Sequence, residues 1–209
     1  MRLFDFERAP NPRRVRIFLA EKRLEIPRVP VNLYRREQLS PEFLAINPAG
    51  TVPVLETDDG TFLAESVAIC RYLEHLHPEP RLFGATPLDE ALVLMWANIV
   101  ENEGFVAVEE ALRNLSPGFR DHVLPGPVSY SPLPGLAERG LRRTARFLDR
   151  IEARLKQHRH LAGGDFSFAD ISLLAIVDFA AWVDVRPGPA HPALREWYGR
   201  VAARPSAGA

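Results

Sequence analysis

Met1-Arg2-Leu3-Phe4-Asp5-Phe6 alternates and then stops at Arg8-Ala9-Pro10-Asn11-Pro12, which predicts a short strand running into a loop. Val15, Phe18 and Leu19 follow at i, i+3, i+4 spacing and predict a helix to about Arg23, with Asn11 as its cap and Pro12 in its first turn. Residues 28–32 read as a second strand. Ser40-Pro41-Glu42-Phe43 opens a short helix that Asn47-Pro48-Ala49-Gly50 stops. Residues 52–56 and 61–63 flank Asp58-Asp59-Gly60 and predict a hairpin, after which Glu65-Ser66 begins a helix through about His77.

Beyond His77-Pro78-Glu79-Pro80 the strand signals cease, so the chain divides into an α/β domain over 1–79 and an all-helical domain over 87–209. Leu88, Leu92, Met95, Trp96 and Ile99 form an apolar stripe on a helix running from Pro87 to about Asn114. Pro117, Pro125, Pro127, Pro132 and Pro134, with Gly118, Gly126 and Gly135, predict a loop that is either ordered or a mobile flap. Leu141, Leu148, Ile151 and Leu155 resume a helix that Gly163-Gly164 closes off. Ser167-Phe168-Ala169-Asp170 is a capping box for a largely buried helix carrying Ile171, Leu174, Ala175 and Trp182. A last helix holds Leu194, Trp197, Tyr198 and Val201, and residues 205–209 read as a frayed tail.

Composition adds limits. The 209 residues are 46% hydrophobic, enough for a substantial core, and 26 basic against 27 acidic side chains leave a net charge of −1. The basic residues are dispersed, which argues against nucleic acid and an anionic membrane surface and for a small, roughly neutral partner. An early charged N-terminus and the absence of an apolar run of about 18 residues predict a cytoplasmic protein with no membrane span. A single cysteine, Cys70, excludes an intrachain disulfide and a CxxC pair; beside Val67, Ile69 and Leu73 it reads as a packing residue. The six histidines form no tight ligand motif, so no metal is expected. Arg13, Arg14 and Arg16 fan around their helix and read as structural, with Asp5 or Glu7 as acids for Arg13 or Arg16.

The order strand, helix, strand, helix, strand, strand, helix is thioredoxin-like. With the helical domain, Asn47-Pro48-Ala49-Gly50-Thr51-Val52-Pro53-Val54-Leu55 and Glu65-Ser66, the whole chain resembles the glutathione transferase family. Within it, Pro12-Arg13-Arg14-Val15-Arg16-Ile17 and Leu194-Arg195-Glu196-Trp197-Tyr198 resemble a bacterial and fungal group. The fold implied is an α/β thioredoxin-like N-terminal domain followed by an all-α helical-bundle C-terminal domain. The resemblance implies glutathione as co-substrate, transfer to a hydrophobic electrophile in detoxification, and a homodimer. A cis bond at Val52-Pro53 turns the backbone of Val52 outward to pair with the cysteinyl unit of glutathione; the plainer reading is an ordinary strand entry. Glu65 takes the γ-glutamyl ammonium and Ser66 its carboxylate at a helix N-terminus, or the two merely cap the helix. Gln38 is placed over the glycyl carboxylate, with Arg35 and Arg36 as electrostatic substitutes.

The departure from the better-known classes lies at the first turn. Asp5, Phe6, Ala9 and Asn11 stand where those classes place Tyr, Ser or Cys, so Asn11 at the helix terminus becomes the candidate for stabilising the thiolate, the alternative being a simple cap. Pro10, Phe105, Glu109, Arg113 and Ser116 are the second-substrate candidates, with ordinary interdomain packing as the rival reading. Glutathione-dependent peroxidase, dehalogenase or isomerase chemistry, or a non-catalytic glutathione-binding regulator, keep the same fold.

Overall fold

The computed structural model describes all residues, 1–209. The N-terminal half holds β1 (Arg2–Asp5), α1 (Pro10–Lys22), β2 (Arg28–Pro30), α2 (Pro41–Ile46), β3 (Val54–Glu56), β4 (Phe62–Ala64) and α3 (Ser66–Leu76). The sheet order is β2-β1-β3-β4. β1 and β2 run parallel with Phe4 opposite Val29, whereas β1–β3 and β3–β4 are antiparallel, with Phe4 and then Ala64 opposite Val54. The parallel pair requires α1 as its crossover, and the hairpin closes through the predicted Asp58-Asp59-Gly60 turn.

The second half is helical: α4 (Pro87–Ile99), a π-helical turn (Val100–Phe105), α5 (Val106–Leu115), α6 (Pro134–Leu155), α7 (Phe168–Ala180) and α8 (Pro192–Ala202). This α/β half followed by a helical bundle is the expected fold class. One hydrophobic cluster runs through both halves, from Leu3, Phe18 and Leu73 to Phe147, Phe168 and Trp197. Gly140 allows α5 and α6 to touch, because a Cβ there would lie 2.6 Å from the Ala107 carbonyl oxygen.

Local end signals behave as expected at several points. Ser40 accepts from the Phe43 amide at 3.2 Å, and Ser167 and Asp170 form the reciprocal capping box. Cys70 is fully buried, and desolvation pushes its thiol far above the ordinary range. Arg16 pairs with Asp5 at 2.7 Å, both side chains buried.

Elsewhere the structure corrects the sequence reading. α1 begins at Pro10 with Ala9 as cap, so Asn11 lies inside the first turn and caps nothing. Pro134 and Gly135 open α6 instead of extending the loop, since proline at the first helical position loses no needed N–H. Trp182 lies past the end of α7 and is half-exposed. Residues 205–209 are docked, not frayed: Arg204 and Ser206 hold Glu21 of α1, and Arg13 donates to the Ala207 carbonyl at 3.1 Å. Leu88 and Met95 of the expected core stripe face outward, while Val93, Trp96 and Ala97 turn inward. The run Pro87–Leu115 is long and apolar enough to cross a membrane by length and composition alone, but it is broken by acidic residues from Asp89 to Glu110 and its inward face packs on α6 and α7.

Candidate functional site

The β1–α1 junction brings the start of α1 against the start of α3. Pro10 and Pro12 carry no N–H, and the Arg13 amide bonds the Ala9 carbonyl at 3.2 Å. The Asn11 amide is therefore the free main-chain donor of this turn. The Asn11 side-chain oxygen accepts from Arg14 Nη1 at 2.9 Å, and because arginine only donates, the amide nitrogen of Asn11 is the group left to face outward.

Val52-Pro53 is cis. Val52 lies outside the strands, and neither its amide nor its carbonyl has a partner within the chain, although its side chain packs with Phe4, Val31, Phe43 and Val54. Asn47 braces the approach to this edge, donating to the Thr51 carbonyl at 2.9 Å and accepting from the Ala49 amide at 3.2 Å. Sequence reading had treated Asn47 as a helix stop and the first residue of the motif, without a role at this edge.

Glu65 precedes α3 with φ 68° and ψ 121°, a conformation costly for a side-chain-bearing residue, which leaves its carboxylate exposed. The amides of Ser66, Val67 and Ala68 precede the first bond of the helix, from Ile69 N–H to the Glu65 carbonyl. Ser66 is buried, and its hydroxyl donates to the Asn11 carbonyl at 2.9 Å. Asn11 and Ser66 thus meet directly.

Gln38 lies in a 3-10 turn, Glu37–Leu39, its side-chain oxygen buried without a partner and its carbonyl close to Gly50. Phe105 is almost wholly buried, its ring 4.8 Å from the Arg14 guanidinium and 6.2 Å from Phe179. Glu109 is half-buried without a hydrogen bond; burial raises its carboxyl above the ordinary range, Arg113 pulls it back, and Glu101 and Glu65 push it further up. Arg113 stacks on Phe119 at 4.9 Å and Nη1 reaches the His122 carbonyl at 3.4 Å. Pro10 opens α1, half-buried, and Ser116 lies at the far end of α5, its amide bonded to the Leu112 carbonyl at 2.9 Å.

The loop of residues 117–133 leans over the α/β half. Arg36 donates to His122 Nε2 at 2.9 Å, and a Cβ on Gly126 would lie 3.3 Å from the Ala49 carbonyl. Three residues the sequence reading did not place in the site now border it. Arg14 joins Asn11 to Glu101 on the π-helical turn, and Trp182 meets Phe179 edge to face at 5.3 Å, one ring beyond Phe105. A Trp on the apolar run after the capping box was the available signal, but the helix was taken to run through it, whereas α7 ends at Ala180. No group of three His, Cys, Asp or Glu side chains converges in a geometry suited to a metal.

Comparison with known proteins agrees in both halves. Residues 3–81 match the family described as "Glutathione S-transferase, N-terminal domain" and residues 133–205 "Glutathione S-transferase, C-terminal domain". The chain is 38% identical to "Glutathione S-transferase 2" of Saccharomyces cerevisiae over 211 residues, covering 99% of this chain and 87% of that protein. The crystal structure of Gtt2 from Saccharomyces cerevisiae superposes with a TM-score of 0.90 at 37% identity, covering 99% of this chain and 98% of that one. A shorter match, 44% identical over 93 residues and 44% of each protein, is to "Maleylacetoacetate isomerase" of Pseudomonas aeruginosa.

Proposed function

The chain belongs to the glutathione S-transferase family, and from that premise we propose that it transfers glutathione to a hydrophobic electrophile in the cytoplasm, as a detoxification reaction. The observation that carries this reading is the juxtaposition of an unpartnered Val52 edge, the free amides of α3 and the first turn of α1, the last two tied by the Ser66–Asn11 hydrogen bond. Glutathione adds as a short strand on Val52, with Pro53 holding the turn. Its γ-glutamyl carboxylate sits on the Ser66 main-chain amide and the α3 terminus, while the Ser66 hydroxyl donates to the Asn11 carbonyl; its ammonium meets Glu65, and Gln38 faces the glycyl end.

The sulfur then lies by Asn11, whose main-chain and side-chain amides donate to the thiolate. The thiol proton leaves to solvent, the sulfur lone pair forms the S–C bond, and the electron pair of the breaking bond leaves with the departing group. Cys70 takes no part, being buried in the core. Pro10, Glu109, Arg113 and Ser116 surround the electrophile, with Trp182 as an aromatic wall; Phe105, expected among them, is buried and backs the site from within.

Calorimetry with glutathione, followed by turnover of a chloronitrobenzene, tests the proposal. Binding with conjugation supports it, and absence of glutathione binding defeats it. A second reading, glutathione-dependent isomerisation, is favoured by the match to the Pseudomonas isomerase; turnover of maleylacetoacetate without conjugation would establish that reading instead. A homodimer is also proposed. Phe62 on the edge strand β4 and Leu88, Met95 and Val106 along α4 and α5 are 39–68% exposed, large apolar side chains that a second copy would cover. Sedimentation equilibrium reads the mass directly.

A further inference from the structure

Arg14 is 2% exposed, yet its charge is only partly neutralised by the protein. Nη1 donates to Asn11 Oδ1 at 2.9 Å and to Glu101 Oε2 at 2.7 Å, and Nε donates to Ser172 Oγ at 3.2 Å, while Nη2 is buried with no partner. The guanidinium is held between Phe105 at 4.8 Å and Phe168 at 5.3 Å. Two aromatic rings exclude water, and low local dielectric lets an uncompensated charge act farther than at the surface. Its one carboxylate partner, Glu101, is 39% exposed and so screened by solvent.

We propose that Arg14 is a positioning residue for thiol activation, one that orients the Asn11 amide toward sulfur and is itself tuned by Glu101 from the helical half. This rests on the assignment of Asn11 above. Because the Asn11 oxygen is engaged by an obligate donor, the side chain cannot turn its acceptor to the thiolate, where it would repel. Two prolines in the first turn leave the helix terminus with a single free main-chain donor, so the α1 dipole has little direct hydrogen bonding to offer. A buried cation one turn along supplies the missing positive potential. Glu101 sits on the π-helical turn, a local irregularity that often marks functional positions, and its negative charge partly masks Arg14. The helical half thereby sets how acidic the bound thiol is.

The test is the pH titration of the thiolate absorbance of glutathione bound to the full chain. Glu101→Gln keeps an acceptor for Arg14 but removes the mask, so the thiol ionises at a pH lower by a few tenths of a unit. Arg14→Lys keeps a charge but not the three-way fork, and the thiol pKa rises by about one unit while the KM for glutathione stays within about twofold. A packing role alone gives no reason for opposite shifts. An unchanged or raised pKa in Glu101→Gln, a partly exposed position whose variant is expected to fold, overturns the inference. Asn11→Ala separates the two layers: if it leaves ionisation unchanged, the activation reading itself fails. If it shifts ionisation but Glu101→Gln does not, only the role of Arg14 and Glu101 falls.

Discussion

The Ser66 hydroxyl donates to the Asn11 carbonyl at 2.9 Å, so the group proposed to hold the amino-acid end of glutathione and the group proposed to face its sulfur are mechanically one unit. Binding and activation are therefore expected to respond together when this contact is cut.

Ser66→Ala removes the hydroxyl and leaves the Asn11 carbonyl without its donor. The KM for glutathione is expected to rise severalfold as the α3 terminus loses its tie to the first turn of α1, and kcat to fall as Asn11 loosens. Steady-state kinetics at saturating electrophile read both, and a rise in KM with unchanged kcat would mean that the contact does not couple the two ends.

Asn11→Ala is expected to lower kcat/KM for conjugation by roughly tenfold or more, as removal of an anion-stabilising donor does. The loss should shrink as the pH is raised and the thiol ionises without help. A pH–rate profile that merely drops in parallel at every pH would contradict a role in ionisation.

Glu21 anchors the C-terminal segment. Burial opposes its charge, but hydrogen bonds from Arg204 and Ser206, and the Arg204 charge, win and hold its carboxyl below the ordinary range. A depressed folded-state value means that stability is fully present above the unfolded glutamate range, near pH ~4.3, and is lost as the pH falls through the folded value. Glu21→Gln is therefore expected to destabilise at pH 7 and to make little difference in strong acid, as measured by urea unfolding at both pH values.

Glu109 has the opposite sign. Burial raises its carboxyl, outweighing the pull of Arg113, so the folded state holds the proton more tightly than the unfolded chain. Its contribution is present below the unfolded value and lost as pH rises through the folded one. Glu109→Gln is expected to raise the melting temperature at pH 7 relative to the parent and to leave it nearly unchanged at pH 4.

Asp5→Ala leaves the Arg16 guanidinium buried without its carboxylate, a loss on the order of 3–5 kcal/mol. Chemical denaturation measures it, and a change below about 1 kcal/mol would show that Glu7, whose carbonyl also accepts from Arg16, suffices.

Several of these groups were legible in the one-dimensional pattern. Ser40, the Ser167–Asp170 box, the Asp58-Asp59-Gly60 turn and the buried setting of Cys70 could be read because capping, turn geometry and helical periodicity act over three or four residues. Val52-Pro53 and Glu65-Ser66 were legible as a motif: the cis bond and the helix start fall there, although β3 begins only at Val54 and leaves Val52 just before the strand. The start of α1 was missed by two residues: proline suits the first helical turn at Pro10 as well as at Pro12, and the helix begins at the earlier one.

Other features had no local signal. Arg14 looked like one of three fanned arginines, but Glu101 lies 87 residues away and Ser172 lies 158 away, so nothing near Arg14 announces its burial. Arg204 and Ser206 meet Glu21 across more than 180 residues, which is why a small, polar tail read as loose. The outward turn of Leu88, Met95 and Trp182 is equally a matter of which face the neighbouring helices leave open. Short-range hydrogen bonds and spacing decide what an element is and where it begins. Which of its faces is covered, and which charge finds which partner, depends on chain segments brought together only when the core closes.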